Sequence, residues 1–185
     1  MSEAETRPMT PAEFLDWEER QEFKWEFDGV RPVAMTGGTV AHDTIAGNIR
    51  TALNNRLRGT ACRSGGSDLK VETGSKYRYP DAFVYCAPAI PAATVAPEPV
   101  VVFEVLSAST AAEDRTTKLS DYLSLPSVQR YIMIEQDRIF ATVIARTDTG
   151  WSLNPLGPGA VLAMPEIGAE IPMDELYEGL ALDRS

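Results

Sequence analysis

Tyr79-Pro80-Asp81-Ala82-Phe83-Val84-Tyr85-Cys86 and, after a proline-rich connection, Val100-Val101-Val102-Phe103-Glu104-Val105-Leu106-Ser107 are the stretch on which the fold turns. The second run is almost wholly Val, Phe and Leu, the pattern of a strand buried on both faces. Glu104 interrupts it near its end, and an ionised carboxylate there is costly unless a positive group meets it. Read as an antiparallel pair, the two runs set Asp81 opposite Glu104 and Tyr85 opposite Val100. Opposed residues share a face, with Cβ atoms roughly 5 Å apart. Two unpaired carboxylates so close would repel, and one would protonate. A hard divalent cation, Mg2+ or Mn2+, relieves this, because Mg2+ takes one or two carboxylates and keeps waters for a phosphate substrate. The plainer alternative is a turn aspartate after proline, plus a strand glutamate reaching solvent at a sheet end.

Downstream, Thr110-Ala111-Ala112-Glu113 has the form of a capping box. The helix it opens carries Arg115, Lys118, Leu119 and Tyr122 on one side and ends before Pro126. Leu119 must face the sheet, so Lys118 borders it. There it either orients a water and stabilises charge on a phosphate, or is a solvated helix lysine. Upstream, Phe23–Phe27 and Val30–Met35 read as a hairpin about Asp28-Gly29. Glu26, inside it, is an exposed strand glutamate or a third carboxylate. His42, the only histidine, lies in the first turn of an amphipathic helix, Ala41–Arg58, whose stripe is Ile45, Ile49, Ala52, Leu53 and Leu57. It contacts a phosphate, holds a carboxylate, or is a cap residue with no role.

The rest of the chain fills in an α+β pattern. Thr10-Pro11-Ala12-Glu13 is a capping box with proline at the first helical position, and its helix is expected to run to about Gln21. Residues 60–63, 68–73 and 76–86 read as short strands split by Gly65-Gly66 and Gly74-Ser75. The 87–99 connection is long for a hairpin and is expected to project as a flap or an oligomer contact. Tyr131–Glu135, Ile139–Ala145 and Trp151–Leu156 form a meander with which Val161–Met164 pairs, and Asp174–Tyr177 is a last helical turn. No repeat or linker divides the 185 residues, so one domain, 1–185 with a core of about 10–180, is expected.

Composition narrows the function classes. No apolar run nears the roughly 20 residues of a membrane helix, and the acidic N-terminus has no signal-peptide core, so a cytoplasmic protein without a membrane partner is expected. Cys62 and Cys86 lack C-x-x-C spacing, which favours a reducing cytosol and argues against a cysteine zinc site. The net charge of −10 counts against an extended nucleic-acid surface. Yet residues 41–80 hold seven Lys/Arg against three Asp/Glu. That local excess is the solvated face of a helix and two strands, or a phosphate track. Glycine-rich phosphate loops and the Gly-x-Ser-x-Gly elbow are absent.

The frame Trp25-Glu26-Phe27-Asp28-Gly29, His42, Tyr79-Pro80-Asp81, Phe103-Glu104-Val105-Leu106-Ser107-Ala108-Ser109-Thr110, Asp114-Arg115 to Lys118, Tyr122, Tyr131 and Asp137-Arg138 resembles the Uma-type restriction endonuclease family of the PD-(D/E)xK nuclease-like superfamily. The likeness runs from about Thr10 to Leu180. It implies a restriction-endonuclease-like α/β/α fold: a mixed four-stranded core sheet flanked by helices, with an added N-terminal antiparallel hairpin and C-terminal strands. It implies Asp81 and Glu104 as metal ligands, with Glu26 as a third, and homo-oligomers, commonly dimers. The superfamily lysine belongs two residues after the glutamate, where this chain has Leu106, so Lys118 is expected to supply the ammonium from the next helix. The expectation is a Mg2+- or Mn2+-dependent endonuclease cutting DNA. Asp81, Glu104 and Lys118 would be catalytic, and His42, Arg115 and Tyr122 would bind substrate. The alternative is a catalytically degenerate oligomeric binding protein on the same scaffold.

Overall fold

Short strands build a six-stranded sheet, a four-stranded sheet and a two-stranded hairpin. The computed structural model describes residues 8–35, 37–107 and 114–182. Thr10 caps α1 (Pro11–Glu18) through the expected reciprocal pair. The Glu13 amide donates to Thr10 Oγ1 at 3.2 Å, and the Thr10 amide donates to Glu13 Oε2 at 2.8 Å. The helix is shorter than expected. Then come β1 (Trp25–Phe27) and β2 (Pro32–Ala34), paired around Gly29 at φ +96°. Next are α2 (Val40–Arg56), β3 (Arg63–Gly66), β4 (Val71–Thr73), β5 (Lys76–Arg78), β6 (Ala82–Tyr85) and β7 (Pro99–Leu106). A π-helical turn at Asp114–Lys118 runs into α3 (Leu119–Leu123), and the Thr110 capping box lies outside the described residues. The chain then forms β8 (Arg130–Glu135), β9 (Ala141–Thr147), β10 (Gly150–Leu156), β11 (Val161–Met164), a 3-10 turn at Pro165–Ile167, β12 (Ala169–Pro172) and α4 (Met173–Leu176).

The main sheet has the order β10-β9-β8-β7-β6-β3, larger than the four-stranded core that the resemblance implies. It is mixed: β7 pairs antiparallel with β6 and parallel with β8. A parallel neighbour requires a crossover, and the stretch carrying the π turn and α3 supplies it. On one face Phe103 and Val105 pack with Ile45, Ile49 and Leu53 of α2. On the other, Phe83, Val102 and Leu106 pack with Tyr122 and Tyr131. The small sheet, β2-β1-β5-β4, buries Phe27 and Tyr77 against Phe14 of α1.

Several expectations need correction. Gly65-Gly66 do not split strands but lie inside β3. A Cβ on Gly65 would stand 2.2 Å from the Phe83 ring, so glycine is what lets β3 approach β6. The 76–86 run is two strands of different sheets, broken at Tyr79-Pro80-Asp81. The 87–99 connection does not simply project. The Ala96 amide donates to the Lys70 carbonyl at 2.7 Å, and the Lys70 amide donates to the Thr94 carbonyl at 3.3 Å. Those groups of buried Lys70 need partners, and the loop brings them. Val161–Met164 pairs not with the meander but with β12, and the hairpin turns Leu162 and Ile171 onto the α2 core. Finally, Cys62 and Cys86, expected as reduced thiols, form a disulfide at the ends of the β3–β6 ladder. Among the described residues no helix is long and apolar enough to cross a membrane.

Candidate active site

The short link Tyr79-Pro80-Asp81 carries the chain from the small sheet to the main one. Pro80 has no N–H to offer a ladder, so β5 cannot continue into β6. The register from Ala82↔Phe103 to Val84↔Val101 is the one expected, and it shifts at Tyr85, which pairs with Pro99. One residue before Ala82, Asp81 stands at the level of Glu104. Both line a cleft of about 430 Å³, together with Glu26, His42, Tyr79 and Lys118.

Glu104 is 3% exposed. The Lys118 ammonium lies 3.4 Å from Glu104 Oε1, and the Tyr122 hydroxyl donates to the same oxygen at 3.1 Å. Burial is what costs a carboxylate, and here a cation and a hydroxyl meet it. Burial, with the Glu104 and Glu26 carboxylates nearby, pushes the Tyr122 phenol well above its ordinary range, so it stays a donor. Lys118 is also 3.4 Å from Glu26 Oε1, and is therefore shared by two carboxylates from different sheets. Leu106, two residues after Glu104, is buried, and the ammonium beside Glu104 is that of Lys118.

Asp81 is held differently. Its Oδ2 accepts from the Val105 amide at 2.7 Å and lies 3.3 Å from His42 Nε2. His42 is placed by the start of α2, where its amide donates to the Thr39 cap, and Gly38 gives its ring room. Of the alternatives for His42, the structure shows contact with a carboxylate. Glu26, for which an exposed position was one alternative, is 6% exposed. It accepts from Arg78 Nη1 at 3.0 Å and from the Tyr79 amide at 3.1 Å. The last two substrate-binding candidates do not line the cleft. Arg115 pairs with Glu135 at 2.6 Å, and Tyr122 is fully buried behind Glu104.

Further polar residues of this region escaped the sequence reading. Arg78 is fully buried and bridges Glu26 to Asp121, donating to Asp121 Oδ2 from Nε at 3.1 Å and from Nη2 at 2.8 Å. Burial opposes its charge, and the Glu26 and Asp121 carboxylates outweigh that, holding it protonated. Lys76 reaches Asp121 Oδ1 at 2.6 Å. The faint signal was Lys76-Tyr77-Arg78: alternate residues of a strand point the same way, so the two cations share a face. Beside them the Tyr79 hydroxyl donates to Glu18 at 2.8 Å, and Lys70 pairs with the other Glu18 oxygen at 2.9 Å.

Residues 11–174 match the family described as "Uma2: Putative restriction endonuclease". The chain belongs to the Uma2 family. Its relatives include the uncharacterised protein slr1290 of Synechocystis sp., 34% identical over 177 residues that cover 94% of this chain and 93% of that one. The uncharacterised protein sll1609 of the same organism is 28% identical over 140 residues, 72% of this chain and 78% of that one. Among solved structures, a protein from Anabaena variabilis described as "a putative nuclease belonging to DUF820" superposes with a TM-score of 0.76 at 18% identity, over 92% of this chain and 98% of that one. At that identity the likeness speaks for the fold. The Uma2 chain thus has the mixed α+β, restriction-endonuclease-like architecture, with the added N-terminal hairpin and C-terminal strands.

Proposed function

We propose that this Uma2 protein is a metal-dependent endonuclease that hydrolyses phosphodiester bonds, with DNA as substrate. The observation that carries the reading is Glu104, a buried strand carboxylate that meets Lys118 at 3.4 Å in a cleft it shares with Asp81. The donors fit a hard cation, since Asp81 and Glu104 offer carboxylate oxygen, the chemistry that suits Mg2+ or Mn2+. Among the described residues no three His, Cys, Asp or Glu side chains cluster as a cage. An ion held by two carboxylates would keep waters, as Mg2+ commonly does. When bound, such an ion supplies positive charge against the phosphoryl oxygens and makes water a better nucleophile.

The chain's own residues do the positioning. The Val105 amide and His42 aim Asp81 into the cleft, and Tyr122 fixes the rotamer of Glu104. The Lys118 ammonium orients an attacking water and faces charge developing on the phosphate. In this reading Glu26, already engaged by Arg78 and the Tyr79 amide, holds Lys118 more than it holds the ion. The test is nicking of supercoiled plasmid with Mg2+ or Mn2+ by wild type, Glu104→Gln and Lys118→Met. Each variant is expected to lose about 100-fold or more in rate, the scale of losing one preorganised charge. Equal rates in all three would overturn the assignment.

One observation favours a second reading, a degenerate oligomeric binding protein. Lys118 already serves as an internal counterion to Glu26 and Glu104. Partner binding that needs no metal and survives Asp81→Ala would support that alternative.

A further inference from the structure

Arg78 does not line the cleft. Its guanidinium nevertheless joins two supports of the cleft lysine. Through Nη1 it holds Glu26, whose other oxygen meets Lys118 at 3.4 Å. Through Nε and Nη2 it holds Asp121, three residues after Lys118 and next to Tyr122 on α3. Among the described residues, the segment carrying Lys118 and Tyr122 is a π-helical turn that runs into five α-helical residues. Helices in proteins take most of their stability, and so their position, from tertiary contacts. Tyr122, with Leu119 and Leu123, packs it on the sheet, but apolar burial is non-directional. Two guanidinium N–H groups converging on Asp121 Oδ2, with a third on Glu26, pin the segment to β5 and β1 in fixed directions.

We infer that Arg78 is a positioning residue: its clamp on Asp121 and Glu26 sets where the Lys118 ammonium and the Tyr122 hydroxyl meet Glu104. This rests on the nuclease reading for its catalytic consequence, but the clamp itself can be tested without activity. A conservative Arg78→Lys keeps the charge and loses the fork. Asp121→Asn keeps the shape and weakens the grip, and stands in should Arg78→Lys fail to fold.

Competitive amine labelling read by mass spectrometry provides the first arm. Lys118 and Lys70 are similarly buried, at 7% and 6% exposure, and Lys70 pairs with Glu18 rather than with the clamp. In either variant, labelling of Lys118 is expected to rise about tenfold while Lys70 stays protected, as local opening without global loosening predicts. No change at Lys118, or an equal rise at both lysines, overturns the inference. Plasmid cleavage with Mg2+ forms the second arm. The expected result is kcat lowered about tenfold to a hundredfold with KM held within about twofold, as for a misplaced rather than missing group. The double variant should be no worse than the poorer single one, because both changes break one unit. An unchanged kcat overturns the inference. If wild type itself fails to cleave, the nuclease reading falls and the labelling arm alone decides whether Arg78 sets the position of Lys118.

Discussion

At the scale of single residues, close approach is bought with missing atoms. Gly65 sits in β3 directly opposite Phe83, whose ring fills the space a side chain would take. The ring is fully buried and cannot swing away. Gly65→Ala is therefore expected to destabilise the fold by about 2–3 kcal/mol, the upper part of the usual overpacking range. Urea denaturation measures this, and trimming the ring in Gly65→Ala/Phe83→Leu should recover part of the loss. A Gly65→Ala midpoint equal to wild type would show that β3 does not need the glycine. The same scale explains why Glu104 was readable and Arg78 was not. Glu104 stands alone in a row of apolar residues, so its charge is conspicuous. Arg78 stands among Lys76, Tyr77 and Tyr79, where the shared face of two cations is a faint signal that does not tell a buried arginine from an exposed one.

At the scale of elements, the β3–β6 pair is tied at its end by Cys62–Cys86, 24 residues apart in sequence. Closing a loop of that length lowers the entropy of the unfolded chain and is expected to contribute about 3 kcal/mol. The Cys62→Ser/Cys86→Ser double variant, compared with wild type by denaturation without reductant, measures it. A wild-type protein whose stability is indifferent to reductant would argue that the bond does not form in solution. The unequal predictability of elements has a plain cause. α2 spans 17 residues and shows its apolar stripe at 45, 49, 52 and 53, so its limits were legible to within two residues. β1, β2, β4 and β5 are three residues each, too short for a period of two to register. The 161–164 strand was found and its partner missed, because alternation identifies a strand without naming its neighbour.

At the scale of the whole molecule, four tyrosines give the fold a common response to alkali. Burial pushes up the phenols of Tyr77, Tyr79 and Tyr122, and it raises Tyr177 to about 12. Each is more acidic when unfolded, near 10. The neutral phenols therefore contribute stability that is present in full below about pH 10 and is lost as pH rises through the folded values. Melting temperature should fall steeply between about pH 10 and 12, together with the rise of phenolate absorbance, and Tyr177→Phe should flatten the slope. A melting temperature independent of pH across that window would contradict this account.

Local pattern determined the strand pair, the register that brings Asp81 level with Glu104, the long helix, the first capping box and the turn at Gly29. Each depends on neighbours a few residues apart, whose chemistry the linear order displays. The tertiary structure decided which cations and carboxylates meet. Glu26 comes from β1, Arg78 from β5, Lys118 and Asp121 from the crossover segment, and they converge only because Tyr79-Pro80-Asp81 docks the small sheet against the large one. Arg78 and Glu26 are 52 residues apart in sequence and 3.0 Å apart in space. A buried charge is tolerated only where packing supplies its partner, and packing between sheets is a property of the folded chain.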